Sequence, residues 1–493
     1  MCKVAICVFF FVFCSVCFSF TTGDGTQADP YVIESAAEFY EINDDLTAHY
    51  ILASDLDLSG VTRTSAVIAP DNVNSGISFS GVPFSGSLNG NGHKITGLAF
   101  SNNYNGNYYV GLFGKIASEG IVENLVVQDC QILTVTHYGG GICAYNSGGQ
   151  VINCHVSGSI SGTTSVGGIC GHNDYGQIIS SSSECIINAV SYCGGLTGND
   201  YGGSYSDCYA DCEITVSAGR AGGLIGNSGD TVLGAPDIKT NIYRCYSAGW
   251  LIGISDHTGG LCGYFYNSDI DQCYSTMSVR GIGSDSDYVG GLCGLAAKST
   301  ITDSYNIGYV SGEGGMSDYI AGLLGYGGES TVISNCYSAA ATRCFSSSPL
   351  YTGGAVAYAY SYNPVCQVNN CFWDSDLSFV NYDDYAAALP TIQMHTLSNF
   401  TDAGWDFEGE SVNGTDDVWW MSSFGGYPQL SWQLKDIGMD KYKLLAMYWG
   451  ETGCTSGADC YDADWYRDGT IDEYDLVRLS MSWLEKEVFI YEP

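Results

Sequence analysis

The chain has 493 residues, of which 53 are Asp or Glu and only 16 are Lys or Arg, so its formal net charge is −37. Nucleic acids need cations on the protein side, so we exclude them as partners, and the same acidity disfavours anionic membrane surfaces. Hydrophobic residues make up 45% of the sequence and 65 residues are Gly. This apolar fraction excludes a mainly disordered chain, and the length predicts about three domains.

Residues 1–19 read MCKVAICVFFFVFCSVCFS, a single Lys followed by an almost unbroken apolar run. This pattern is typical of a secretory signal peptide, with cleavage expected after Ser19 because Cys17 and Ser19 are suitable small residues at the cut. The apolar run of about 16 residues is shorter than the roughly 20 that a membrane-spanning helix needs. We therefore predict a secreted or cell-surface protein whose mature chain has no membrane span.

Residues 20–85 precede a repeat array and contain one short helical pattern, Ala36–Asn43, together with apolar strand patterns such as Tyr50-Ile51-Leu52. A stack of repeats exposes unpaired backbone at its open end, so a covering segment is expected there. We interpret residues 20–85 as the N-terminal cap, followed by a first coil that begins near Ser87.

A Gly-(Leu/Ile)-any-(Gly/Ala) motif recurs through residues 86–373, and its last copy, at Gly354, is degenerate. The copies begin at Gly111, Gly141, Gly168, Gly195, Gly223, Gly260, Gly291, Gly322 and Gly354. Each copy offers about three short strand-like runs separated by turn residues, and none is long enough to bury its own apolar face. Stacking of the copies solves this, which predicts an all-β fold, a right-handed parallel β-helix (solenoid) of about nine ~30-residue repeats. A β-propeller is the alternative, although its blades need about 40–50 residues.

The array of these motifs resembles the GLUG repeats of secreted bacterial surface proteins. That family occurs in adhesin-like and large secreted proteins, including a region beside the catalytic part of IgA-cleaving metallopeptidases. The resemblance implies an exported repeat region and assigns no reaction to the repeats themselves. The sequence has no His-Glu-any-any-His zinc motif, so the peptidase activity does not carry over.

Cysteines recur at two positions of the repeat. The first set is Cys143, Cys170, Cys262 and Cys293, and the second is Cys154, Cys208, Cys245, Cys273, Cys336 and Cys371. Ile225 and Leu324 replace Cys in the first set, which indicates apolar core sites where a free thiol packs well. Export would permit disulfides, because coils about 4.8 Å apart are within bridging distance. The sequence leaves a reduced cysteine ladder and a set of bridges both open.

An aromatic residue usually follows the second cysteine position. These residues are Tyr209, Tyr246, Tyr274, Tyr305, Tyr337 and Phe372. Side chains alternate along a strand, so an inward Cys places the next residue outward, and stacked coils would align these rings in a stripe. One interpretation is a polysaccharide-binding surface on which the rings stack against sugars. The other is a self-stacking ladder that stabilises the sheet.

Residues 374–432 leave the repeat pattern and are rich in Trp, so we interpret them as the C-terminal cap. Further on, the segment from Asp464 to Asp475 has the spacing of a calcium loop, with Gly469 at its sharp turn. The predicted Ca²⁺ ligands are Asp464, Asp468, Thr470, Asp472 and Asp475. Apolar residues at helical spacing follow the loop.

This loop and helix resemble one half of a dockerin, so we interpret residues 433–493 as a dockerin-like module that binds one Ca²⁺. The resemblance implies docking onto a cohesin-like protein partner. The sequence departs from the family in two places: Tyr466 stands at a ligand position of the loop, and the earlier half keeps a helix near Met439–Trp449 without its loop. Cys454 and Cys460 flank a polar loop beside this segment and are predicted to form a disulfide.

A carbohydrate-active β-helix enzyme, such as a polysaccharide lyase or glycosidase, is the alternative function. Its site would need carboxylates clustered on adjacent coils, alone or with Arg or Lys. Asp207 and Asp303 precede the second cysteine position, where Asn also occurs in other copies, which indicates turn residues. We therefore predict no catalytic residue. The predicted function is an exported non-catalytic scaffold for adhesion, surface display or polysaccharide contact.

Overall fold

The chain forms a parallel β-solenoid followed by a second, smaller unit. The computed structural model describes residues 20, 22–71, 78–100, 108–135, 137–229, 238–254, 257–283, 288–313, 319–345, 351–362, 364–380, 383–421 and 426–433. Contacts divide the chain into residues 1–392 and residues 393–493. The predicted signal peptide, the calcium loop with its five ligands, and Cys454 and Cys460 lie outside the described residues.

One complete turn of the solenoid has four short strands rather than the expected three. In the coil of residues 150–174 they are Gln150–Ile152, His155–Gly162, Ser165–Gly167 and Cys170–Asp174. Each strand pairs in parallel with its equivalents in the coils before and after it. The fourth strand exists because the chain bends at the motif glycine, which divides one expected run into two. We number the resulting sheets 1 to 4 in their order along the coil.

The strands of sheets 1 and 2 begin well before the first motif. Sheet 1 contains Tyr31–Ile33, His49–Leu52, Ser87–Asn89, Ile121–Glu123, Gln150–Ile152, Gln177–Ile179, Ser204–Ser206, Thr240–Tyr243, Ser268–Asp271, Thr300–Thr302, Val332–Ser334 and Gln367–Asn369. Sheet 2 contains Leu56–Asp57, Thr62–Arg63, Lys94–Thr96, Ala99–Phe100, Val126–Val135, His155–Gly162, Ser182–Ala189, Tyr209–Val216, Tyr246–Gly253, Tyr274–Ser275, Ser278–Gly281, Tyr305–Asn306, Val310–Gly312, Tyr337–Ser338, Thr342–Cys344, Phe372–Asp374 and Ala387–Leu389. The solenoid therefore already starts within the segment interpreted as the N-terminal cap.

Sheets 3 and 4 flank the motif. Sheet 3 contains Tyr109–Val110, Tyr138–Gly139, Ser165–Gly167, Tyr192–Gly194, Arg220–Gly222, His257–Gly259, Tyr288–Gly290, Tyr319–Ala321 and Tyr351–Gly353. Sheet 4 contains Phe113–Ile116, Cys143–Ser147, Cys170–Asp174, Thr197–Tyr201, Ile225–Ser228, Cys262–Tyr266, Cys293–Ala297, Leu324–Gly327 and Val356–Ala359. All described pairs in these two sheets are parallel, which confirms the predicted stacking of repeats.

The predicted short helix is present near the N-terminus. An α-helix spans Ala36–Glu41 and a 3-10 helix follows at Ile42–Asp44. The Ser35 hydroxyl accepts a hydrogen bond from the backbone N–H of Glu38, whose carboxylate accepts one from the backbone N–H of Ser35 at 3.0 Å. This capping box fixes where the helix begins.

The motif glycines let the backbones of successive coils approach each other between sheets 3 and 4. A Cβ built on Gly195 would overlap the carbonyl oxygen of Gly223, and one built on Gly223 would overlap that of Gly260. The same overlap with the next coil recurs at Gly168, Gly260, Gly291 and Gly322. The motif therefore requires Gly for steric reasons, because the neighbouring backbone already occupies the space of a side chain.

The interior contains a ladder of cysteines along the corner between sheets 1 and 2. The backbone N–H of Cys208 donates to Sγ of Cys245, and that of Cys245 donates to Sγ of Cys273, each at 3.4 Å. All sixteen cysteines of the described residues are free thiols. Of the two alternatives, the structure thus has the reduced ladder. Burial raises the pKa of Cys154 to about 12, which keeps this thiol protonated and unreactive.

The residue before each ladder position makes a tight turn. Asn153, Asp207, Asp303 and Asn335 have φ values of 49°, 54°, 45° and 52°. Asn and Asp tolerate this left-handed conformation better than most residues. The interpretation of Asp207 and Asp303 as turn residues is confirmed.

Asp383 closes the C-terminal end of the repeats. Its carboxylate accepts hydrogen bonds from the backbone N–H groups of Ala355 at 2.7 Å, Val356 at 2.9 Å, Tyr385 at 2.9 Å and Ala386 at 3.0 Å. One coil earlier, the equivalent N–H groups of Leu323 and Leu324 donate to the carbonyl of Ala355. Asp383 thus replaces the missing next coil at this corner.

The second unit, in the part that the structure describes, has a small aromatic core. Phe400, Trp405, Phe407 and Trp419 are buried, and the ring centroids of Trp405 and Trp419 are 4.6 Å apart. The strand Trp419–Trp420 pairs antiparallel with Gln429–Leu430. The short helix Leu397–Thr401 belongs to this unit, and another, Thr391–Met394, spans the boundary between the two units.

Candidate functional site

The aromatic residues predicted on sheet 2 form a continuous stack, which we call the tyrosine ladder. Between neighbours, the ring centroids of Tyr209, Tyr246, Tyr274, Tyr305 and Tyr337 are 4.9–5.1 Å apart and the ring planes differ by 6–7°. Phe372 continues the register beyond Tyr337. Nearly parallel rings at this separation overlap face to face, so each ring covers its neighbours.

Only part of the tyrosine ladder reaches solvent. Tyr305, Tyr337 and Phe372 are buried, whereas Tyr209, Tyr246 and Tyr274 are half-buried. Within the ladder the ring faces are occupied by one another, apart from the side of Tyr209 that faces Ser182 of the preceding coil. A sugar can therefore contact only three of the six rings, mainly at their edges. This geometry favours the interpretation as a self-stacking ladder.

We expect Tyr246→Ala to lower the free energy of unfolding by about 2–3 kcal/mol, because it removes two ring–ring contacts and leaves a gap in the sheet surface. Tyr362→Ala is the control, since that ring is 69% exposed, and it should change stability by less than about 0.5 kcal/mol. Urea unfolding of the three proteins measures both effects. Equal stabilities of the two variants would contradict a stabilising role for the ladder.

A second set of outward side chains, which sequence reasoning missed, lines the corner between sheets 3 and 4. Sheet 3 contributes the residue three positions before the motif glycine, and sheet 4 the residue four positions after it. The sheet 3 column is Tyr138, Ser165, Tyr192, Arg220, His257, Tyr288, Tyr319 and Tyr351, and the sheet 4 column is Lys115, Tyr145, His172, Asn199, Asn227, Tyr264, Leu295, Tyr326 and Tyr358. We call this surface the corner groove.

Tyrosines from the two sheets meet across the C-terminal part of the corner groove. Ring centroids are 5.8 Å apart for Tyr319 and Tyr326, with planes at 82°, and 4.9 Å apart for Tyr351 and Tyr358. Outward side chains of two sheets can touch only where the sheets are inclined towards each other on the solvent side. The corner is therefore concave, and aromatic side chains line it along the axis of the solenoid.

Polar side chains replace tyrosines in the middle coils of the corner groove. The Arg220 guanidinium carbon lies 3.9 Å from the ring centroid of Tyr264 and 5.7 Å from that of Tyr192. Arg220 also donates a hydrogen bond to the Asn227 side-chain oxygen. Burial, together with the charge of Arg220, lowers the pKa of His257 to about 3, so this imidazole is neutral at physiological pH. Aromatic, amide, imidazole and guanidinium groups thus share one concave surface.

A carboxylate group lies inside the solenoid rather than in this groove. Asp200 is buried and continues a column of interior amides formed by Asn146 and Asn173. It accepts hydrogen bonds from Asn173, Tyr205, Thr240 and the backbone of Gly203. All of these donors are neutral, and burial raises the pKa of Asp200 from 3.8 to about 6. Its charged form is therefore disfavoured in the folded protein.

This pKa predicts a pH dependence of stability. Because the pKa of Asp200 is higher in the folded than in the unfolded state, its protonated form stabilises the fold. This contribution is complete below pH 3.8 and is lost as the pH rises through about 6. Between pH 5 and 8, the free energy of unfolding of the wild type should fall by about 1.4 kcal/mol more than that of Asp200→Asn, which cannot ionise at this position. Urea unfolding at several pH values measures the difference, and Glu213→Gln, at an exposed carboxylate, should keep the wild-type slope. Identical slopes for wild type and Asp200→Asn would contradict the assignment.

One pair of carboxylates on sheet 2 bears on the enzymatic alternative. Glu184 and Asp211 directly follow the paired residues Ser183 and Ala210 of adjacent coils, and both are exposed. Partial desolvation, followed by the charge of Glu184, raises the pKa of Asp211. Acid–base chemistry gains most from a water-excluded site, which this open sheet surface does not provide for the pair.

Within the described ranges, no group of three or more His, Cys, Asp or Glu side chains is placed to hold a metal ion. The predicted calcium ligands lie beyond those ranges. The part of the chain that the structure describes also contains no helix long and apolar enough to cross a membrane.

Two proteins are similar to parts of the sequence. Halomucin from Haloquadratum walsbyi is 32% identical over 146 residues, which are 28% of this chain and 2% of halomucin. A "Putative Gly-rich membrane protein" from Evansella cellulosilytica is 32% identical over 111 residues, covering 22% of this chain and 12% of that protein. The chain thus spans only a small part of the length of these relatives.

Two solved structures are similar to the solenoid at low identity. A "putative immunoglobulin A1 protease" from Bacteroides ovatus has a TM-score of 0.41 and 16% identity, covering 84% of this chain and 95% of that chain. An IgA1 protease has a TM-score of 0.21 and 13% identity, covering 73% of this chain and 21% of that chain. No family model matches the sequence, so the likeness to GLUG repeats and to a dockerin stays a resemblance.

Proposed function

We propose that the protein is an exported, non-catalytic repeat scaffold that contacts polysaccharide through the corner groove. This proposal rests on one observation: aromatic and polar side chains of sheets 3 and 4 contact each other across the corner in successive coils. Rings within each groove column also stack along the axis, as Tyr319 does on Tyr288 at 4.9 Å and on Tyr351 at 5.2 Å, so a sugar would contact mainly their edges and hydroxyls. The groove differs from the tyrosine ladder because it adds amide, imidazole and guanidinium groups, which fit sugar hydroxyls. A groove that repeats once per coil suits a polymer that itself repeats, which favours a polysaccharide over a small molecule.

Two observations support a location at the cell surface. Residues 1–19 have the pattern of a secretory signal peptide. The two relatives are named as a halomucin and a Gly-rich membrane protein, and such names agree with exposure outside the cell. Adhesion or surface display of the scaffold would follow from such a location.

The test uses the full chain and a panel of insoluble polysaccharides. We expect the protein to be retained on at least one of them, without release of reducing ends or unsaturated sugars during long incubation. Tyr351→Ala removes a groove ring that is 40% exposed and should weaken retention. Tyr175→Ala removes a ring that is 38% exposed but lies outside the groove, so retention should not change. Failure to bind any polysaccharide, or release of sugar products, would contradict the proposal.

We propose separately, from the sequence, that residues 433–493 bind one Ca²⁺ and serve as a docking module for a cohesin-like partner. The proposed ligands are Asp464, Asp468, Thr470, Asp472 and Asp475. Calorimetric titration of Ca²⁺ into the full chain should show one site that Asp468→Ala abolishes. Absence of heat in the wild type, or an unchanged site in the variant, would contradict this module.

A further inference from the structure

We propose that Arg220 is the centre of a subsite in the corner groove for a carboxylate-bearing sugar, such as a uronic acid unit of a polysaccharide. This inference rests on the proposed function, because it names the chemical class of the ligand at the same surface. It goes further by assigning charge recognition to one residue.

Two cations line the corner groove, Lys115 and Arg220, and the charge of Asp174 acts on Lys115. Acidic residues outnumber Lys and Arg by 53 to 16. The ion pairs found among the described residues are His93–Asp55, Lys239–Asp269, Arg280–Glu313 and Lys298–Glu329. Arg220 belongs to none of them, and its described contacts are the rings of Tyr192 and Tyr264 and the side chain of Asn227. Its charge is therefore available to a ligand.

The surroundings hold the guanidinium in a fixed orientation. Stacking on Tyr264 fixes the plane of Arg220, and the bond to Asn227 occupies one of its five N–H donors. Asn227 is in turn bonded to Asn199, whose amide contacts the ring nitrogen of His172 at 2.9 Å. A guanidinium that is oriented in this way binds a carboxylate through two parallel hydrogen bonds.

A second group in the same part of the groove has unused hydrogen-bonding capacity. His257 follows Arg220 in the sheet 3 column, and its Nδ1 atom is buried without a hydrogen-bond partner in the described structure. Buried polar atoms are normally paired, so an unpaired one points to a missing partner. A hydroxyl of the bound sugar can supply it after a small movement of the ring. Tyr264 and Tyr288 contact His257 at centroid distances of 5.3 and 5.0 Å, and their ring edges lie beside the position proposed for the sugar.

The charge of the whole molecule explains why one cation matters. A chain with a net charge of −37 repels polyanions in general. Attraction to an acidic sugar must therefore come from a local cation, and aromatic neighbours on both sides favour a sugar ring over a free anion. A neutral glycan would gain nothing from Arg220, so the two ligand classes can be separated by experiment.

The experiment compares three oligomers on the full chain by calorimetry: a hexamer of galacturonic acid, the corresponding neutral galactose hexamer, and a hexapeptide of glutamate. We expect the galacturonate hexamer to bind about tenfold tighter than the neutral hexamer. Arg220→Ala and Arg220→Lys should abolish this preference, because Lys has neither the planar fork nor the stacking surface. Arg343→Ala is the matched control, since Arg343 also stacks on a ring, that of Phe379, at 3.9 Å. It should bind like the wild type.

Each other outcome overturns the inference in a distinguishable way. Equal binding of both sugar hexamers, unchanged in Arg220→Ala, would remove the role of Arg220 and leave the proposed function intact. If no polysaccharide of the panel binds, both the Arg220 subsite and the proposed function are wrong. Equally tight binding of the glutamate peptide would show that a carboxylate alone is recognised. Thermal unfolding of Arg220→Lys shows whether loss of binding comes from loss of the fold.

Discussion

Replacing Gly223 by Ala is expected to lower the free energy of unfolding by about 3 kcal/mol or more. The added Cβ would overlap the carbonyl oxygen of Gly260 in the next coil, so the two coils must separate or distort at the corner between sheets 3 and 4. Overpacking of this kind is costly because the obstacle is backbone and cannot move aside. Urea unfolding measures the change, and hydrogen exchange should show faster opening in the strands Arg220–Gly222 and Ile225–Ser228.

The control for this prediction is Gly92→Ala. Gly92 has a φ of 77°, and no atom lies within 4 Å of the position that its Cβ would take. An Ala at this position would therefore add backbone strain without a steric clash. This replacement should cost about 1 kcal/mol. A cost at Gly223 no larger than at Gly92 would contradict the steric explanation of the repeat motif.

Replacing Asp383 by Ala is expected to lower the free energy of unfolding by about 3–5 kcal/mol. Four backbone N–H groups lose a charged acceptor at once, and those of Ala355 and Val356 lie at the end of the solenoid with no further coil to pair with. Each buried donor left without a partner costs about 1–3 kcal/mol, and the four are not independent.

Hydrogen exchange tests the location of this effect. The amides of Ala355, Val356, Tyr385 and Ala386 should lose protection in Asp383→Ala. Amides in the middle coils should keep theirs, because a solenoid opens from its ends. Glu119→Ala, at an exposed turn carboxylate, is the control and should be nearly neutral. Unchanged protection at Ala355 and Val356 would contradict the capping role.

The repeat period was sufficient to predict stacked parallel strands, the inward cysteines and the outward tyrosine ladder. These features depend on the alternation of side chains within single strands, which is visible locally, as at Cys245 and Tyr246. The fourth strand of each coil could not be predicted in this way. Strands such as Tyr288–Gly290 are three residues long and end in Gly, so they look like part of a turn.

The corner groove was missed because its residues vary in chemical type. Ser165, Arg220 and His257 occupy the same column as Tyr288, and nothing in one repeat indicates that this column faces the one containing Asn227. The sequence signal for the two groove columns was their fixed spacing, three residues before and four residues after the motif glycine. Recognising it required knowing that the chain bends between the two strands.

The cap at Asp383 and the buried carboxylate of Asp200 depend on contacts distant in sequence. Asp383 is 28 residues from Ala355, and Asp200 is 40 residues from Thr240. No local pattern distinguishes them from the many exposed acids of this chain. Their roles follow only from the stacking of whole coils.

We propose that polysaccharide binds in the corner groove rather than on the tyrosine ladder. Hydroxyl-radical footprinting of tyrosine side chains, with and without a polysaccharide that retains the protein, tests it most directly. We expect reduced oxidation of Tyr319, Tyr351 and Tyr358 in the bound state, with Tyr209 and Tyr246 unchanged. Protection confined to Tyr209 and Tyr246 would contradict this proposal and would show that the tyrosine ladder is the contact surface.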